Sequence, residues 1–155
     1  MSEGGFKKMN MIKISTDLEL TIHKFPIGSY QKQNQFLREL IGNHCELYEH
    51  VKPRRLYTEF QMKNHVTNIA GQCVSMLVDE EGGLKDNEVN LIGSYLYETD
   101  IHQQPIMGNI LFVGERWIGG EVDFCGIDET VFKYLEQELN QMIYSMKRAK
   151  EAFGK

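Results

Sequence analysis

The stretch Tyr48-Glu49-His50-Val51-Lys52-Pro53-Arg54-Arg55-Leu56-Tyr57 gathers more recognition chemistry than any other part of the chain. Its proline fixes a bend, which predicts Lys52, Arg54 and Arg55 presented together beside Tyr48 and Tyr57. Guanidinium groups hold phosphate or carboxylate through paired hydrogen bonds, and tyrosine adds a stacking face and a hydroxyl. Lys52, Arg54, Arg55, Tyr48 and Tyr57 are therefore the candidate ligand-binding residues, suited to a nucleotide-like anion or an acidic partner surface. The competing expectation is that these bases pair with Glu46, Glu49 and Glu59 inside the same fold, as surface charges commonly do.

Covalent chemistry finds less support. His44, Glu46 and His50 fall on one face if residues 45–51 are extended, and three such ligands suit zinc with an open position. The spacing is not diagnostic of a site. Cys125 precedes a helix whose N-terminus would acidify a thiol, but Asp123, Asp128 and Glu129 oppose that effect. A buried structural thiol is the expectation. There is no G-x-S-x-G, no G-x-x-x-x-G-K-[ST] and no G-x-G-x-x-G. Gly108, Gly114, Gly119 and Gly120 read as turns, because Asp128 and Glu129 would repel an anion at the next helix. The acids from Asp79 to Glu88 lack the order of a calcium loop. The chain thus nominates no catalytic residue, no metal and no cofactor, and the expectation is a protein that is not an enzyme.

The elements that must position these residues follow from periodicity. Met11 to Ser15 and Leu18 to Phe25 alternate as two short strands with a turn at Asp17. Pro26 and Gly28 break the extension, and Ser29 can cap a helix carrying Tyr30, Phe36, Leu37, Leu40 and Ile41. That helix should stop at Gly42 or Asn43. Residues 45–51 read as extended, resuming over Leu56 to Phe60, with a polar loop over Lys63 to Gly71. Gln72 to Val78 is a strand, and Glu81-Gly82-Gly83 a turn. Asn90 to Tyr97 suits either a short helix or a strand. Ile106 to Val113 predicts a central strand, Gly114 to Gly120 a loop holding Trp117, and Val122 to Cys125 a last strand. The clearest helix carries Val131, Phe132, Leu135, Leu139, Met142, Ile143, Met146 and Ala149 at three- and four-residue spacing. Acids at 128 and 129 and bases at 147, 148 and 150 complement its dipole. The sum is an α+β fold: an antiparallel or mixed sheet, one short early helix and one long C-terminal helix. Strands and helices do not alternate throughout, which excludes a doubly wound sheet.

Length and charge bound the rest. The 155 residues fit one domain: residues 1–10 read as a flexible leader and 11–155 as a single α+β domain. Seventeen Lys and Arg against 22 Asp and Glu leave a net charge of −5, which disfavours direct nucleic-acid binding. Acids concentrate from Asp79 to Asp100, predicting an acidic rim. The three cysteines, Cys45, Cys73 and Cys125, are odd in number and unpaired in spacing, which argues against a disulfide framework or zinc ribbon. No apolar run reaches membrane-spanning length and no signal-peptide pattern opens the chain, so the expected compartment is the cytoplasm, with no membrane association. The apolar stripe of the last helix serves core packing first and a homodimer contact second.

The segments Ile12-Lys13-Ile14-Ser15, Leu37-Arg38-Glu39-Leu40-Ile41-Gly42, Tyr48 to Tyr57, Gln72 to Glu81, Asn87 to Asp100 and Pro105 to Glu115 carry a resemblance. Together they resemble a family of small proteins, a domain of unknown function, encoded on plasmids, prophages and conjugative elements of Gram-positive bacteria. The resemblance covers most of Met11 to Phe132 and brings across no catalytic residue. It implies a mobile-element accessory protein, and from that setting counter-defence by stoichiometric binding of a host defence protein or a nucleotide-like signal. The same setting implies, as an alternative, a regulator of element maintenance, and the residues add a small metal-assisted enzyme using His44 and His50.

Overall fold

The computed structural model describes residues 9–60, 62 and 69–153. Alternating apolar residues build an antiparallel six-stranded sheet: β1 (Asn10–Ile14), β2 (Leu20–Lys24), β3 (Tyr48–Val51), β4 (Cys73–Asp79), β5 (Ile110–Ile118) and β6 (Glu121–Cys125). The order is β2-β1-β5-β4-β3, with β6 also on β5. Among the described residues the α-helices are α1 (Tyr30–Ile41), α2 (Arg54–Thr58), α3 (Leu91–Leu96), α4 (Thr99–His102) and α5 (Glu129–Phe153), with a 3₁₀ turn at Gly82–Leu84. The α+β class, the short early helix and the long last helix are as the periodicity predicts. Among the described residues no helix is long and apolar enough to cross a membrane.

Strand β5 organises the sheet. Its first half pairs with β1 (Ile12 opposite Phe112) and its second half with β6 (Glu115 opposite Phe124), so β1 and β6 share one edge in succession. On the other edge β4 spans the junction, from Cys73 opposite Glu115 to Leu77 opposite Leu111. The predicted loop over Gly114 to Gly120 is therefore strand as far as Ile118. Gly114 is there because nothing larger fits. A Cβ on it would lie 2.5 Å from the Gly126 carbonyl oxygen and 2.7 Å from the Gly71 Cα. Only Gly119 and Gly120 turn, both at positive φ, as the tight hairpins that match strand twist require.

Two cores flank the sheet. Val74, Met76, Val78 and Phe112 face α5, burying Phe132, Leu135, Leu139 and Ile143. Leu77, Leu111 and Val113 face α1, burying Leu37 and Ile41. All of β4 is buried because both its faces are covered. Ser29 caps α1 by accepting from the Lys32 N–H, and Gly42 ends it at φ 84°. Asn90 resolves the ambiguous stretch as helix: its Oδ1 accepts from the Gly93 N–H, and its amide donates to the Ile14 and Gly108 carbonyls. Beyond Ile143 no described residue of α5 is fully buried, although Met146 still packs, partly buried, against the core.

Several sequence expectations are corrected. The strand expected from Cys45 begins only at Tyr48, because Asn43 and His44 take positive φ in the turn leaving α1. Leu56 to Phe60 does not resume a strand: Arg54–Thr58 is helix α2, with Leu56 buried. Leu18 occupies the turn at φ 64° rather than the strand. Asn10, expected in the leader, opens β1, and the Phe25 N–H donates to the Met9 carbonyl. Residues 1–8 of that leader, and 63–68 of the expected polar loop, lie outside the described residues. Gly114→Ala should destabilise the protein by about 3 kcal/mol or prevent folding, since backbone on both sides must move. Urea denaturation followed by circular dichroism measures it, with Gly83→Ala, where a Cβ meets nothing within 4 Å, as the near-neutral control.

Candidate functional site

The proposed basic elbow does not converge. Arg55 turns towards α3 and α4. Its two terminal nitrogens donate to the two Asp100 oxygens at 2.7 and 3.0 Å, one also reaches the Tyr95 carbonyl, and Nε lies 3.4 Å from Glu59. The guanidinium stacks 4.5 Å from the Tyr95 ring centroid. Hydrogen bonding to Arg55 holds the Asp100 carboxyl below its usual range. Tyr57 donates its hydroxyl to the Val74 carbonyl, and burial first, then Cys73, raise its pKa. Tyr48 donates to Asn34 of α1, and burial pushes it up to about 12. Lys52 points to the sheet. Arg54 alone is exposed without a side-chain partner among the described residues. Pro53 leads straight into a helix, so consecutive residues diverge by about 100° instead of sharing one face of a bend.

The structure instead assembles a polar cluster that the elbow reading missed. Register places His50 of β3, Ser75 of β4 and Glu115 of β5 on the face that α1 covers further along. Glu115 Oε2 receives the Ser75 hydroxyl, the Lys52 ammonium at 3.1 Å and the His50 Nε2 at 3.3 Å. His50 Nε2 is also 2.7 Å from Ser75 Oγ, and its ring meets Phe124 edge-on at 5.3 Å. The Glu115 side chain is 2% exposed. Burial pushes its pKa up, but the hydrogen bonds from His50, Ser75 and Lys52 and the lysine charge win, holding it at about 2. Cys73 and Tyr57 close the edge of the cluster, and burial and Glu115 push the Cys73 thiol up to about 11.

Serine, histidine and carboxylate together suggest an acyl-transfer triad, but the connectivity is wrong for one. In a triad the histidine takes the serine proton and the carboxylate holds the other ring nitrogen. Here carboxylate and serine meet the same nitrogen, and the Ser75 proton points at Glu115. A carboxylate held near 2 is a poor base, and Ser75 is fully buried. The cluster is a satisfied buried network. The only sequence signal for it was two polar residues inside apolar runs, Ser75 among Val74, Met76 and Leu77, and Glu115 two positions past Val113.

The remaining chemical candidates also fall away. His44 lies in the turn before β3, so it does not share a strand face with His50. Among the described residues no three His, Cys, Asp or Glu side chains are grouped to hold a metal. Burial raises Cys125 to about 11, with Arg116 opposing and Asp123 and Glu115 assisting. Burial and Asp79 raise Cys45 to about 11 against Lys85 and Arg38. The acidic rim is broken: Asp79 is buried against Lys85 at 2.8 Å and Asp100 is taken by Arg55, leaving Glu80, Glu81, Asp86 and Glu88 exposed. An open groove of about 760 Å³ lies between α1 and β3, lined by Tyr30, Asn34, Arg38, Glu46, Tyr48 and Phe124 among others.

No family model matches the chain, and neither a curated protein nor a solved structure is similar to it. A carboxyl with a depressed pKa contributes stability above its unfolded value and loses it on protonation in the fold. Glu115 should therefore stabilise the protein fully above about pH 4.5, with the contribution, on the order of 3 kcal/mol, lost as pH falls towards 2. Glu115→Gln should be less stable at pH 7 and show a shallower decline between pH 4.5 and 2. Urea midpoints across that range measure both effects.

Proposed function

We propose that this protein is a non-enzymatic binding protein that acts by occupying a protein partner stoichiometrically. The observation that carries this reading is the closure of the cluster of Ser75, His50 and Glu115. Ser75 is buried, Glu115 Oε2 accepts from three donors, and the thiols of Cys45, Cys73 and Cys125 are all raised to about 11. A buried serine that donates to a carboxylate held near 2 offers a transition state neither a free nucleophile nor an effective base.

The partner is a protein rather than a nucleotide signal. Lys52, Arg55, Tyr57 and Tyr48 spend their polar groups on Glu115, Asp100, Val74 and Asn34, so a phosphate at the elbow would meet only Arg54. The mobile-element setting and the counter-defence role belong to this proposal through the resemblance of segments such as Tyr48 to Tyr57 and Pro105 to Glu115. A protein of net charge −5 with exposed acids at positions 80, 81, 86 and 88 favours a partner with a basic surface.

Treatment with a fluorophosphonate, and separately with iodoacetamide at pH 8, should leave the intact mass unchanged. A covalent adduct on Ser75 or fast alkylation of Cys73 would overturn the non-enzymatic reading. Cross-linked pull-down from a Gram-positive lysate should recover one protein at equal stoichiometry, and the Arg54→Glu, Arg55→Glu double variant should still recover it.

A further inference from the structure

The sheet face that carries α1 is covered over only part of its length. Side chains alternate along a strand, so β5 sends Leu111, Val113, Glu115 and Trp117 to one side. The β5–β6 register sets Phe124 opposite Glu115 and Val122 opposite Trp117, on that same side. Helix α1 packs over Leu111 and Val113 with Leu37 and Ile41. The polar cluster around Glu115 comes next, and past it Trp117 and Val122 are both exposed.

The open groove beside α1 runs onto this bare half-face. Phe124 and Tyr48 form its floor, and Tyr30, Asn34 and Arg38 line its α1 wall. Those three stand at i, i+4 and i+8, the row that makes a packing ridge on a helix. Tyr30, Leu47 and Trp117 are each more than half exposed. With Val122 and the half-buried Phe124 they leave on the order of 400 Å² of aromatic and aliphatic surface open, a size at which surface patches mark interaction sites. The α1 wall adds to it, towards the roughly 800 Å² that one side of a stable interface takes.

Charge decides between occupants. Arg38 and Glu46 line the groove together and offset each other. Lys52 and His50, on the same face, are held by Glu115. Among the described residues this half-face thus has no unneutralised cation for a phosphate chain, and no charge imbalance that selects an acidic or basic segment. It offers an aromatic floor edged by the Gln31 and Asn34 amides. The complement is an amphipathic helix, with an apolar stripe for the floor and an uncharged polar flank for the amides. Sheet faces are closed by helices laid side by side, about 10 Å apart. Tyr30 to Arg38 is eight positions, about 12 Å or a little over two helical turns.

We infer that a protein partner lays an amphipathic helix on this bare half-face beside α1, its apolar stripe over Phe124, Val122 and Trp117 and its polar flank on Gln31 and Asn34. Its anchors fall at i, i+3 or i+4, and i+7. A second copy of this chain does not supply that helix: α5 spends its apolar stripe on Phe132, Leu135, Leu139 and Ile143 within its own core, and its outer face carries Gln137, Asn140 and Gln141. The inference rests on the binding reading above and names its site.

The experiment selects a phage library of helix-forming peptides of about sixteen residues, randomised along one face, against the full chain. A selected peptide is then titrated and followed by amide NMR. Selected peptides should carry apolar residues at i, i+3 or i+4, and i+7, and binding should shift the amides of Gln31, Asn34, Val122 and Phe124. Trp117→Ala should weaken binding at least about tenfold, as loss of an aromatic anchor does, and Val122→Lys should do the same. Both side chains are exposed in the free protein, so the melting temperatures of the two variants should match the parent. No selected helix, shifts confined to another face, or unchanged affinity in either variant would overturn the site. So would an oligodeoxythymidine that moves these amides where no helix does. Recovery of a stoichiometric protein partner alongside such a result would leave the binding reading standing, whereas a Ser75 adduct would remove that reading itself.

Discussion

One buried negative charge ties the open half of the sheet together. Glu115 projects from β5 and accepts from β4 through Ser75, from β3 through His50 and from the chain leaving β3 through Lys52. An ionised carboxylate out of water is costly unless its lone pairs are filled. Three donors on Oε2 offset much of that cost and tie three strands together. Helix α1 covers the sheet over Met11, Leu77, Leu111 and Val113. Beyond it the polar cluster takes the place of a hydrophobic contact, and the aromatic ring of Phe124 shields it from the side.

The same economy disposes of the chemistry. Lys52 and His50 are partly exposed, yet their polar ends are spent on Glu115. The side chains that looked most available in sequence are thus the ones the fold uses most fully. What stays open is the boundary between α1 and β3, where the Tyr48 ring faces inward. Arg38, one helical position after the buried Leu37, lines it and has no side-chain hydrogen bond or ion pair among the described residues.

Much of the fold was legible because periodicity reports burial. The 3.6-residue stripe from Val131 to Met146 located α5, and alternation located β1 and β4. Ser29 and Gly42 bounded α1 through their capping chemistry. Failures arose where long-range contact overrides local preference. Gly114 resembles a turn residue, but a three-glycine crossing with Gly71 and Gly126 makes it a strand residue. Arg54 to Thr58 lacks a helical stripe long enough to recognise, and only Leu56 is buried. The polar cluster needs the pairing of β3, β4 and β5 over 65 positions of sequence, from His50 to Glu115, and no local spacing encodes that register. Counting bases near Pro53 identified charged groups without identifying their partners, which come from α3 and α4 for Arg55 and from β5 for Lys52.

The sole tryptophan, Trp117, stands on the outer β5–β6 hairpin and is 56% exposed, while the two cores contain no indole. Its fluorescence starts from a largely aqueous environment, so loss of the cores will change its emission colour little. Intrinsic emission will report the hairpin and whatever docks on it, and an unfolding curve traced by that signal alone will understate the cooperative collapse of the sheet.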